Sequence, residues 1–147
     1  MELVLFLNSY YLKFIPYFGR NACLISIFGV AEQGDLYRHI HIKSLQDMLF
    51  TLGQGIESST GVELAIQGLM YERSILFYRV KEEGFEEEAY LKGLQELKKK
   101  ELKAPLSALA LPGVGNQEII NEASTICKKK GSFLIMNQKD FYDYITR

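Results

Sequence analysis

Several residue types and patterns are scarce in this sequence, and each scarcity removes a class of protein. Of 147 residues only two are cysteines, Cys23 and Cys127, far apart and with no CxxC. They read as two reduced, packed thiols of a cytoplasmic protein. Neither has a local base that would make it a catalytic nucleophile. Charge of one sign is lacking too, since the net charge is −1 and the pI about 6.1. A dedicated nucleic-acid-binding domain usually shows a pI above about 9, so this balance argues against one while leaving a local basic groove open. The apolar start, MELVLFLNSYYLKFIPYF, has no positive leading region, is broken at Asn8, Ser9 and Lys13, and is followed by no small-residue cleavage site, unlike a signal peptide. It is too short and too polar to span a bilayer, so no membrane association is expected. Repeats, low-complexity stretches and linkers are absent, and the expectation is a single domain, 1–147.

What is present is ordinary globular composition, 48% apolar and 24% charged. A chain of this length can bury roughly 70% of its unfolded surface. Glu2 to Leu7, Tyr10 to Phe18 and Ala22 to Val30 read as strands, with turn chemistry at Gly19 and Asn21. Residues 1–30 are therefore expected to form an N-terminal β-hairpin or three-stranded meander, with Pro16 at an edge or bulge. Ser44, with Asp47 three residues on, resembles a capping box. Leu45, Met48, Leu49, Leu52 and Ile56 then fall at helical spacing until Gly53 and Gly55 offer caps. Tyr37 to Ile42 is open between strand and helical turn.

Val62, Leu64 and Ile66 alternate, Gly68 breaks the pattern, and Ser74 to Val80 is a second apolar run. The spacing, with two glycines that disfavour a helix, predicts a strand over 61–71 paired with a strand over 74–80. Such a pair would bring Glu63 and Lys81 to one sheet rim. Glu86 to Leu102 is a helix whose acidic start and lysine-rich end suit the helix dipole. A buried strand follows at 106–111 and a tight loop at 112–115. Next come a helix from Asn116 to the lysines before Gly131, a strand at 132–136, and a last helix, 138–145, capped by Asn137. The fold class is thus α/β: a mixed central sheet with flanking helices, closing βαβα.

Three short patterns could carry chemistry. Pro112 to Asn116, between a buried strand and a helix, could cradle a phosphate on backbone N–H groups or simply make a tight turn. His39 and His41 have a metal-ligand spacing if on a strand, with no third ligand visible. Glu57 to Gly61, rich in the hydroxyls of Ser58, Ser59 and Thr60, could hold a ligand or connect two elements.

From Ser44 onward the pattern, through SSTGVELAIQ, ILFYRVK and the closing LSALALPGVGNQEIINEASTICKKKGSFLIMNQKDFYDYI, resembles the PD-(D/E)xK restriction-endonuclease-like superfamily, especially its Mrr-like members. That resemblance implies a nuclease-like core over 44–147 with Glu63 and Lys81 at the catalytic rim. The family's metal-binding carboxylate position holds Arg79, and a guanidinium cannot ligate Mg²⁺. The resemblance therefore implies a degenerate member that binds nucleic acid or a partner protein, with Mg²⁺ only if the metal site were intact. Arg79, Lys98, Lys99, Lys128 and Lys129 are the binding candidates of that reading, and Ser58, Ser59 and Asn116 are those of the two loops.

ESSTGVELAIQGLMYERSILFYR also resembles nucleoside deoxyribosyltransferase-like proteins. That resemblance implies an N-glycosidase-like enzyme of nucleosides or nucleotides, with Glu63 as the nucleophile toward a sugar. It requires 61–71 to be a helix and Asp47 to Leu52 a strand, and the family's N-terminal sugar-binding motif is missing. A third reading is a protein-interaction subunit, whose aromatic N-terminal hairpin pairs by its edge with another chain, a homodimer included.

Overall fold

A computed structural model describes residues 4–6, 24–55 and 59–146. Five strands, β2 (Leu24–Gly29), β3 (His39–Ile42), β4 (Ser74–Arg79), β5 (Leu106–Ala110) and β6 (Phe133–Met136), form a mixed sheet, and the three-residue β1 (Val4–Phe6) joins it along β6. The order is β1-β6-β5-β2-β4-β3. Neighbouring strands run parallel except β3, which lies antiparallel on the β4 edge. The helices are α1 (Leu45–Leu52), α2 (Thr60–Met70), α3 (Glu87–Lys99), α4 (Gln117–Lys130) and α5 (Gln138–Thr146).

Both faces of the sheet are covered, as parallel strands require. Residues alternate between two cores. Ile25, Ile27, Ile75 and Phe77 pack with Met48, Leu52, Val62, Ala65 and Leu69 of α1 and α2. Leu24, Phe28, Leu76 and Tyr78 pack with Tyr90, Leu94, Leu97, Ile119, Ile120 and Ala123 of α3 and α4. The closing βαβα expected from sequence is present, and so are its caps. The Asn116 side chain accepts from Ile119 N, Gly131 ends α4 in the left-handed region, and the Asn137 side chain accepts from Asp140 N at 2.6 Å. Ser44 caps α1 by accepting from Asp47 N. The Asp47 carboxylate reaches back to Lys43 N at 3.1 Å, one residue earlier than a capping box would place it.

The strand expected over 61–71 is a helix instead. Ser59 caps it by accepting from Val62 N, and its buried residues are Gly61, Val62, Leu64, Ala65, Gly68 and Leu69. Half of the inward stripe, Gly61, Ala65 and Gly68, is small and adds little to an apolar pattern. The glycines mark close packing rather than a break. A Cβ at Gly68 would lie 2.8 Å from Ile75 Cδ1, and one at Gly61 would lie 2.8 Å from the Gly29 Cα. Asp47 to Leu52 is helical, as its periodicity indicated. Only Met48 and Leu52 of the α1 stripe are buried. Ile56 lies outside the described residues.

Most of the N-terminal hairpin expected over 1–30 falls on residues 1–3 and 7–23, outside the described residues, as does Cys23. The two described strands of that region are not partners: β1 pairs with β6, and β2 with β4 and β5. Cys127 is buried. Among the described residues no helix is long and apolar enough to cross a membrane.

Candidate functional site

The strand order places a topological switch at β2. The chain leaves β2 for the edge strand β3, returns through α1 and α2 to β4 on one side, then crosses by α3 to β5 on the other. In open α/β sheets the crevice beyond the carboxyl ends of the strands at such a point is where ligands bind. Here the crevice is walled by the end of β2, the start of α2, the β4–α3 loop and the β5–α4 loop.

Three of those walls meet at one carboxylate. Glu83 Oε1 accepts from Gly61 N at 2.9 Å and Val30 N at 3.3 Å, and Oε2 accepts from Thr60 N at 3.3 Å. The Ser59 hydroxyl lies 3.1 Å from Oε1 while donating to Val30 O at 2.6 Å. Ser59 is buried, and its Oγ also accepts from Val62 N at 3.0 Å. Glu83 thus occupies the amide groups that a helix start would offer to an anion. The loop it belongs to continues across the switch point: Gly84, at φ +86°, packs so tightly on Gly113 that a Cβ would run into the Gly113 carbonyl. Gly84 N donates to the Tyr90 hydroxyl at 2.9 Å, and Gly113 N to Asp140 Oδ2 at 2.9 Å. Burial pushes the Asp140 carboxyl up, and the Gly113 hydrogen bond opposes that rise.

Glu63 sits in the first turn of α2, and its side chain is exposed. It is on a helix flanking the sheet, whereas Lys81 lies two residues past the end of β4, so no pair of neighbouring strands joins them into one rim. Arg79 is committed to structure. Its Nε donates to Ala31 O at 3.1 Å, Nη1 to Gly34 O, and Nη2 to Glu32 O at 3.4 Å, which fastens the 31–34 loop over the end of β4. Asn116 is the α4 cap and donates from Nδ2 to Glu87 Oε2 at 3.3 Å. Ser58 lies outside the described residues. No local pattern marks Glu83 in the sequence, where it is one of two adjacent glutamates (Lys81-Glu82-Glu83-Gly84).

His39 and His41 are on a strand, as the metal-ligand spacing needed. His39 is packed under α3, with Nε2 at 2.9 Å from Gly93 O and its ring 4.8 Å from that of Tyr78. Among the described residues no three His, Cys, Asp or Glu side chains converge on a point where a metal could sit.

Charge is polarised along the strands. Helices α2, α3 and α4 run back from the carboxyl edge, so their acidic first turns, with Glu63, Glu87, Glu88 and Glu118, lie there. Two of these acids interact: a hydrogen bond with Glu118 is the main reason the Glu87 carboxyl is raised. The basic last turns, with Lys98, Lys99, Lys128 and Lys129, lie at the amino edge. Lys98 Nζ is 3.6 Å from Glu122 Oε1. The sequence-derived binding candidates therefore divide between two opposite poles. Comparison with protein-family models, curated proteins and solved structures gives no match for this chain.

Proposed function

We propose that the chain is an N-glycosidase-type enzyme acting on a neutral nucleoside, with Glu63 as nucleophile. The observation that supports this is the place of Glu63: an exposed carboxylate in the first turn of a helix that starts against the end of β2, where Gly61 abuts Gly29. The deoxyribosyltransferase-like resemblance asks for a helix there, and the nuclease-like one asks for a strand beside Lys81. The other requirement of the first resemblance, a strand over Asp47 to Leu52, is not met, so the reading rests on Glu63 and α2 alone.

In this reading the Glu63 carboxylate attacks the anomeric carbon as the carbon–nitrogen bond breaks. The base departs with the bonding electron pair and takes a proton from water. The hydroxide left by that water opens the resulting glycosyl ester, giving the free sugar and returning the carboxylate. Glu83 favours a nucleoside over a nucleotide, because the amides that would hold a phosphate already bind its carboxylate. The acidic carboxyl edge also disfavours a phosphorylated substrate. The test is incubation with a panel of neutral nucleosides, beside NAD as a phosphorylated comparison expected to give no release, with free base measured chromatographically for the wild type and Glu63→Gln. Release by the wild type that falls by at least a hundredfold in the variant supports the reading. No release across the panel, or release that survives in the variant, removes it.

A further inference from the structure

A cavity of 790 Å³ opens at the amino edge of the sheet, the end opposite Glu63. Its size is within the range of small-molecule sites, roughly 300–1,000 Å³. The apolar lining open to a ligand is Leu45, at the start of α1, with Leu102 and Ala104 after α3; behind it lie Leu24, Leu76 and Leu69, each buried in one of the two cores. Three lysines converge on the rim from separate parts of the chain, Lys43 after β3 and Lys100 and Lys103 after α3. The helix dipole accounts for Lys100, at the C-cap of α3. It does not account for Lys103, beyond the helix, and it opposes Lys43, which directly precedes the N-cap of α1. None of the three enters an ion pair among the described residues. Their field is felt inside the cavity. The His41 imidazole is held below its ordinary range first by burial, then by Lys43 and Lys103, with Asp47 opposing and Lys100 adding to the effect. Glu72 and Glu101 also stand at the rim, which leaves room for one anionic group and breaks up any continuous track for a polyanion.

We propose that this cavity binds a single-chain amphiphile, with its apolar tail along Leu45, Leu102 and Ala104 and one anionic head group against Lys43, Lys100 and Lys103. A carboxylate and a phosphate monoester share the required chemistry. The full chain is titrated calorimetrically, below micelle formation, with octanoate, decanoate and dodecanoate, and with decyl phosphate and decyltrimethylammonium. The expected result is saturable binding that tightens about threefold to fourfold per added methylene. It should weaken about tenfold in a K43Q/K103Q variant and be absent for the ammonium amphiphile. Within that result, tighter binding of decanoate points to a fatty acid, and tighter binding of decyl phosphate to a phospholipid-derived head group. No saturable binding, no dependence on chain length, or equal binding of the cationic amphiphile overturns the proposal. It also falls if the variant loses affinity for a single-stranded oligonucleotide while no amphiphile binds, because the lysines then serve nucleic acid.

Discussion

Glu83 accepts a hydrogen bond from Gly61 N at 2.9 Å, across a separation of 22 residues, and so ties the β4–α3 loop to the first turn of the helix that carries Glu63. The same carboxylate serves Thr60 N and Val30 N. Glu83→Ala leaves those donors without their acceptor in a partly enclosed site. Losing a cap of this kind costs about 2 kcal/mol. Glu83→Gln retains one carbonyl oxygen and is expected to lose about half as much. Urea unfolding of the three proteins checks both, and unchanged midpoints would mean that the carboxylate does not hold the helix.

Gly93 gives a prediction whose sign runs against helix propensity. It lies mid-helix in α3, where Gly→Ala ordinarily stabilises by up to about 1 kcal/mol. Here a Cβ would sit 2.6 Å from Phe28 Cε2 and 2.7 Å from Tyr78 Cζ. Both rings are fully buried, so neither can swing away. Gly93→Ala is expected to destabilise by about 1–3 kcal/mol. A rise in the thermal midpoint would show that the aromatic layer yields.

Part of the fold is legible in the sequence and part is not, according to whether its signals are local. The closing βαβα could be read because its signals are local: Asn116, Gly131 and Asn137 at helix ends, and acids and lysines sorted along α3 and α4. Helix α2 is hidden in the sequence because Gly61, Ala65 and Gly68 supply half of its buried face, and small residues leave little hydrophobic periodicity. Glu63 was picked out as a lone carboxylate among apolar residues. Glu83 was not, because its partners, Val30 and residues 59–61, are distant in sequence and come together only once β2 and β4 pair. Nothing local separates it from Glu82.

His39 should make stability depend on pH. Burial is the largest influence and lowers its imidazole below the ordinary 6.5, outweighing the Gly93 hydrogen bond and Glu96, which raise it. Its Nε2 bonds to Gly93 O, and its buried Nδ1 has no hydrogen-bond partner. The folded state therefore holds the ring neutral while the unfolded state takes up a proton first. This contribution is complete above about pH 6.5 and is lost as pH falls through the folded value. His41 shifts in the same direction. In His39→Gln the His39 share disappears, so the drop in urea midpoint from pH 8 to pH 5 should be smaller than in the wild type. An equal drop in both proteins would assign the acid sensitivity to other groups.

Arg79 separates a structural role from a binding one. Its guanidinium holds three carbonyls, of Ala31, Glu32 and Gly34, in an arrangement that uses the planar fork of arginine. A lysine ammonium offers a single point charge and cannot span them. Arg79→Lys preserves the charge, so a residue acting through charge on a polyanion would tolerate it, whereas a clamp on the 31–34 loop would not. The expected result is a loss of about 1–2 kcal/mol in stability, together with faster proteolysis within 31–38, and no change in affinity for a single-stranded oligonucleotide. Unaltered stability with weakened oligonucleotide binding would reverse the assignment and place Arg79 at a ligand surface.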